Sequence, residues 1–323
     1  QEDIKRISQY ADQPKQKVLV SGSTGLIGMQ LCAFLQAGGH HVTRLVRPTT
    51  VLPSDVVDEP CVVWDDRKGE VIEGSLEGFD TVIHLAGLGI GDKRWNAKRK
   101  ERIWSSRTVP TEHLVRLFAT LEQPPKTFMC GSAVGFYGNR GDESLTESSS
   151  PGDDFLSEMC QAWEAAAAPA QELGIRTVWL RTGLVTTPMG GALQQLMLPT
   201  LLGAGGPAGG GRQYYPWISL HDHIYATYHL MMNEACDGPY NLTAPEPVTQ
   251  KQYAKTLGKV LLRPWFAPAP GFVLKIMFGE LAQALVLSGQ RVFPKRLQDS
   301  GFTFQHDHLE SCLRQCLGKQ KIP

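Results

Sequence analysis

Val18-Leu19-Val20-Ser21-Gly22-Ser23-Thr24-Gly25-Leu26-Ile27-Gly28 is a β-branched apolar run that breaks into three glycines spaced three apart. It reads as strand, tight turn and helix. In this pattern Gly22 lets the chain leave the strand sharply, Gly25 lets backbone N–H groups approach a pyrophosphate, and Gly28 lets the helix pack on the sheet. Ser23 and Thr24 complete the loop, and Leu26 and Ile27 open the helix, whose N-terminus is the phosphate-binding end. A helical segment then runs to Ala37, Gly38-Gly39 closes it, and His41-Val42-Thr43-Arg44-Leu45-Val46 supplies a second strand. Together they make a βαβ unit of the ~30 residues expected for a nucleotide-binding half.

Around this unit the chain has room for one large α/β domain with a smaller appendage, at 323 residues. Lys plus Arg and Asp plus Glu both number 32, so no net field points to nucleic acid or to an acidic membrane surface. Seven scattered cysteines set among apolar neighbours suggest reduced thiols and a cytoplasmic location. Cys312 and Cys316 have neither redox-pair nor zinc spacing, and no metal is inferred. Gln1 to Gln16 are polar, lack a signal-type apolar region, and read as a mobile or loosely docked extension. Phe272 to Leu287, interrupted by Lys275 and Glu280, is too short for a span and reads as an amphipathic core helix. Gly203 to Gly211, with six glycines in nine residues, reads as a flexible loop.

From residue 40 to about 182, apolar strand-like runs (61–64, 81–85, 127–130, 177–180) alternate with helical periodicity (96–119, 154–173). Such alternation predicts an α/β, Rossmann-type doubly wound parallel sheet, whose ligands gather beyond the C-terminal strand ends. After the second strand an NAD-selective protein usually places an acid on the ribose 2′-OH. This chain offers Arg44 and Arg47 instead, so the expected cofactor is NADP, its extra phosphate held by a guanidinium fork. The competing reading of each is a solvated surface arginine.

Three stretches, SGSTGLIG at 21–28, HLAG at 84–87 and GSAVGFYG at 131–138, resemble the sheet-edge motifs of the extended short-chain dehydrogenase/reductase superfamily. LRTGLV at 180–185, GGA at 190–192, GGP at 205–207, WIS at 217–219 and NLTAP at 241–245 are similar to its atypical "epimerase family" branch, the nucleoside-diphosphate-sugar epimerase-like proteins with a C-terminal domain of unknown function. The resemblance implies an NADP-binding Rossmann domain over 17–263 with substrate-side insertions, and a small, mainly helical C-terminal portion over 264–323. It also implies roles. Leu85, Ala86 and Gly87 match the strand segment beside the cofactor ribose, and Arg107 matches an arginine on the helix bordering the cofactor, with a helix-surface arginine as its alternative. Ser132 matches the catalytic serine, with strand capping as its alternative.

The superfamily's acid/base device, a Tyr whose ionisation is eased by a Lys one helical turn later, is missing. Counting back from Trp163-Glu164, the Tyr position is Leu156 and the Lys position Cys160, and Ser148 to Ala162 contains neither Tyr nor Lys. Tyr137, five residues after Ser132, is the nearest replacement as proton donor, and His221 and His223 are further ionisable groups. The resemblance therefore implies an NADP(H)-dependent oxidoreductase or epimerase acting on a small carbonyl or nucleotide-sugar-like substrate. Ser132 would donate the orienting hydrogen bond, and the loops at 183–192 and 203–211 would close over the site. Loss of the Tyr/Lys pair keeps a second expectation open, a catalytically inactive NADP(H)-binding sensor or scaffold. The expected partner is a small molecule, with no nucleic acid and no membrane.

Overall fold

The computed structural model describes residues 1–319. Its centre is an eight-stranded sheet made of β1 (Lys17–Ser21), β2 (His41–Val46), β3 (Cys61–Asp65), β4 (Glu70–Glu73), β5 (Thr81–His84), β6 (Thr127–Ala133), β7 (Arg176–Thr182) and β8 (Gly238–Leu242). The order across it is β8-β7-β6-β5-β1-β2-β3-β4. Every neighbouring pair is parallel except β3 with β4. The order turns back at β1, which makes the edge between β1 and β5 the switch point where doubly wound sheets bind ligands.

Alternation along the strands divides the core in two. Val18 and Val20 face Leu31, Leu35, Tyr225 and Met231, carried by α2 (Leu26–Ala37) and by a helix at Leu220–Met232. Leu19 faces the other way, onto Leu114, Phe118 and Trp163 of α3 (Ala97–Phe118) and α4 (Phe155–Ala167). Asn96 and Asp154 cap α3 and α4 by accepting from the backbone N–H groups of Arg99 and Ser157. The edge strand β8 carries Pro239, tolerable there because the missing N–H faces no neighbour.

Three segments differ from their sequence reading. Residues 1–16, expected to be mobile or loosely docked, begin with the helix α1 (Glu2–Ser8), whose Arg6 is buried with its guanidinium 5.1 Å from the Tyr225 ring and 5.5 Å from that of Phe302. Tyr225 also donates to Asp3 at 2.6 Å. The partners that pin this segment lie more than 200 residues away, beyond any local pattern. The stretch expected as one core helix breaks at Gly279 (φ 64°), where Gly271–Phe278 ends. That first half has no buried residue and exposes Phe272, Ile276 and Met277, whereas Leu281 and Ala282 beyond the break are buried. The glycine-rich loop is pinned rather than free: a Cβ at Gly206 would stand 2.0 Å from the Ala267 carbonyl oxygen, and Gln250 accepts from the Ala208 N–H at 2.9 Å.

Beyond residue 290 the chain forms a separate two-stranded sheet. Arg291–Val292 pairs with Ser144–Leu145. The Asp222 carboxylate accepts from the backbone N–H groups of Gln305 and His306 at 2.7 and 3.0 Å. Among the described residues no helix is long and apolar enough to cross a membrane.

Candidate functional site

The turn after β1 is built as a cradle. Gly22 has φ 69°, and a Cβ there would meet the Ala86 nitrogen at 2.8 Å, so the turn passes directly over Leu85 and Ala86 at the end of β5. A Cβ on Gly28 would stand 2.2 Å from the Gly22 carbonyl oxygen, which lets the first turn of α2 close against the loop. Gly25 is the N-cap of α2, and both it and Thr24 are exposed. The free N–H groups of this helix end therefore face outward, where an anion is stabilised. Leu26 and Ile27 follow, half-buried. Ser23 Oγ is buried without a partner among the described residues. Below the turn, Ser21 Oγ and His84 Nδ1 share a hydrogen bond that ties the ends of β1 and β5 together, and burial lowers the His84 pKa to about 4, keeping it neutral. A dinucleotide fits this cradle, since it supplies the phosphate the helix end lacks and a partner for Ser23.

The two arginines after β2 do different things. Arg44 is buried, donates from Nε to Glu59 and from Nη1 to the Ser23 carbonyl, both at 2.8 Å, and so is committed to holding the loop. This corrects the expectation that it forms a 2′-phosphate fork. The acid that engages it, Glu59, arrives on the connection into β3, where register and not sequence spacing puts it. Arg47 is exposed at the strand end.

Beside the cradle lies a cleft of about 330 Å³, lined by Ile27, Leu85, Arg107, Ser132, Leu156 and Cys160 among others. Tyr214, Tyr215 and Leu285 complete its outer wall. Gly87 stands at its rim, where a Cβ would be 3.2 Å from the Arg107 guanidinium carbon. Arg107 donates to the carbonyls of Leu88 and Ile103 at 3.0 Å and lies 5.2 Å from the Trp163 ring. Its Nε has no partner among the described residues, and burial lowers its pKa to about 10. The cleft is mostly apolar. Leu156 and Cys160 both form its wall, and burial followed by the Glu164 charge pushes the Cys160 thiol up to about 12. The lining includes Thr182, Gly183 and Leu184 but neither 186–192 nor 203–211. Gly190 approaches Leu26 at the cradle instead, and the glycine-rich loop does not cover the cleft as expected.

Ser132, at the end of β6, lines the cleft and donates to Glu164 Oε1 at 2.7 Å. α4 sets this geometry. Gly131 leaves a gap that the Trp163 ring fills, since a Cβ there would meet the ring at 2.8 Å, and Glu164 then lies over β6 and β7. Arg181 grips Glu164 with two parallel bonds of 2.8 Å. Burial alone would lower the Arg181 pKa, and the Glu164 carboxylate more than reverses that. Glu164 and Arg181 were not among the residues singled out from sequence. The signals available were the adjacency of Glu164 to Trp163 and the place of Arg181 in LRTGLV.

Tyr137 is corrected most sharply. The turn Val134–Tyr137 curls back from β6 and buries Tyr137 completely, outside the cleft lining. Its hydroxyl donates to Asn241 Oδ1 at 2.6 Å and accepts from Arg181 Nη1 at 3.0 Å. Burial, only partly offset by Arg181, pushes its pKa up to about 12. Its proton is directed at Asn241 and not into the cleft. His223 is also buried, bonded to Thr182 at 3.0 Å and lowered to about 4 by burial, while His221 is exposed.

Residues 18–243 match the NAD dependent epimerase/dehydratase family, and residues 269–316 match a domain of unknown function, DUF1731. The chain belongs to the NAD dependent epimerase/dehydratase family. Within it, YfhF of Bacillus subtilis, an epimerase family protein, is 37% identical over 305 residues, 94% of this chain and 99% of that one. Human epimerase family protein SDR39U1, solved with NADPH, superposes with a TM-score of 0.84 at 31% identity, over 94% of this chain and 100% of that one. A nucleoside-diphosphate sugar epimerase from Corynebacterium glutamicum gives a TM-score of 0.80 at 34% identity over 99% of this chain and 62% of that one. Family membership accounts for the cradle as an NAD(P)-binding element, and the short-chain dehydrogenase/reductase fold seen in these relatives is the fold described above.

Proposed function

We propose that this epimerase-family protein is an NADP(H)-dependent oxidoreductase acting on a small, neutral, mainly apolar carbonyl or alcohol. The observation that carries the reading is the continuity of the glycine cradle with an apolar cleft that has Ser132 in its wall. When bound, a nicotinamide dinucleotide supplies or accepts the hydride. The cradle residues Gly22 to Gly28 would hold its phosphates, Ser23 and Arg107 would contribute their unpartnered buried groups, and Arg47 would meet the 2′-phosphate. The NADPH in the human relative agrees with that choice. The cleft walls exclude water and position the substrate beside Ser132.

A nucleotide sugar is the less favoured substrate. Among the described residues the lining carries one cation, Arg107, which two backbone carbonyls, the Trp163 ring and the cofactor would claim, so a substrate diphosphate would lie in the cleft without a counter-charge of its own. The volume sits at the small end of the ~300–1,000 Å³ span of ligand sites. A second reading, an NADP(H)-binding sensor without turnover, is favoured by Leu156 and Cys160, which leave the usual proton-donor place apolar. NADPH fluorescence titration against NADH, followed by NADPH consumption with a panel of small ketones, aldehydes and nucleotide sugars, separates these. Equal affinity for both dinucleotides refutes the cofactor assignment. Tight NADPH binding without consumption on any substrate selects the sensor.

A further inference from the structure

The hydrogen bond between Ser132 and Glu164 has a fixed direction. A carboxylate gripped by both arms of Arg181 is ionised and can only accept, so the proton between Ser132 Oγ and Glu164 Oε1 belongs to Ser132. A serine hydroxyl has a single proton. With that proton spent on Glu164 at 2.7 Å, what remains on Ser132 Oγ is acceptor capacity, and no protein group among the described residues uses it. Ser132 is buried except where it forms the cleft wall.

We propose that Glu164 is a positioning residue that turns Ser132 into a hydrogen-bond acceptor, so that the cleft recognises a ligand hydroxyl in preference to a carbonyl. This reverses the donor role expected for Ser132 and rests on the reading of the cleft as the substrate site. The rest of the network holds Glu164 still. Arg181 is itself stacked 3.5 Å from the Phe136 ring and bonded to the buried Tyr137 hydroxyl, so neither partner of the pair can swing away. A carbonyl oxygen placed against Ser132 would face lone pairs, whereas an alcohol would donate into them.

The probes are a shape-matched pair, 4-tert-butylcyclohexanol and 4-tert-butylcyclohexanone, with binding to the full-length protein read by ligand-observed NMR, which needs no turnover. The native protein should bind the alcohol about five- to tenfold more tightly, the factor for one hydrogen bond. Glu164→Ala should abolish the preference, because without the acceptor at 2.7 Å the serine proton is free for the ketone. Ser132→Ala, which leaves the Arg181 pair intact, should bring the two affinities together. A merely structural Glu164 would weaken both ligands alike. Equal binding of both probes by the native protein, or an alcohol preference that survives either substitution, overturns this inference alone. Failure of both probes to bind overturns the reading of the cleft as well.

Discussion

Replacing Tyr137 with Phe separates its structural role from the catalytic one that its place in the sequence suggests. The substitution keeps the ring that packs 5.4 Å from Phe136 and 5.3 Å from the Arg181 guanidinium, and removes one oxygen. Two groups lose a partner, but unequally. Arg181 Nη1 retains the Glu147 carbonyl at 3.4 Å, while the fully buried Asn241 Oδ1 is left with no described donor. An unsatisfied buried acceptor costs about 1–3 kcal/mol. For a chain of this size each kcal/mol moves the midpoint by about 2 °C, so Tm should fall by roughly 2–6 °C. NADPH affinity, read by fluorescence titration at 20 °C, should stay within about twofold, because the lost oxygen does not reach the cleft. Any turnover found should be equally unaffected at that temperature. An unchanged Tm with turnover abolished would refute this reasoning and return Tyr137 to the role of proton donor.

Gly28→Ala should lower stability by about 1–3 kcal/mol through the clash of its Cβ with the Gly22 carbonyl and loosen dinucleotide binding at least tenfold; a variant with native Tm and native NADPH affinity would show that the cradle is not rigid. Arg47→Ala should cost about 1.5–3 kcal/mol of NADPH binding and leave NADH binding alone, whereas Arg44→Ala should lower thermal stability; loss of the NADPH preference from Arg44→Ala alone, with Tm intact, would contradict the division between them. His223, neutral in the fold with its pKa lowered to about 4, binds a proton more readily when unfolded, so stability should be complete above pH 6.5 and fall as pH drops from 6.5 toward 4. His223→Gln should flatten that decline when urea midpoints are compared across the range, and an unchanged slope would count against burial as the cause.

The order of glycines in 21–28 and the alternation of runs beyond it were enough to give the sheet and the cradle from sequence alone. These are near-neighbour properties. A positive φ at Gly22, an apolar period of two and a residue type at a helical spacing are set by sterics within a few residues and survive in any context. The place of Ser132 was legible in the same way, since it follows from where β6 ends.

What only the tertiary structure decided is which partner each polar side chain meets. Arg44 had the residue type for a phosphate fork, but Glu59 and the Ser23 carbonyl claim it. Tyr137 stood close to Ser132 in sequence, but the turn after β6 aims it at Asn241 and Arg181, 104 and 44 residues on. The polarity of the Ser132 hydroxyl depends on Glu164, carried by α4, and on Arg181, carried by β7. Local pattern fixes where a backbone goes; the direction of a proton follows from strand register and from which helix packs over which strand, and both are long-range contacts that no spacing in the chain encodes.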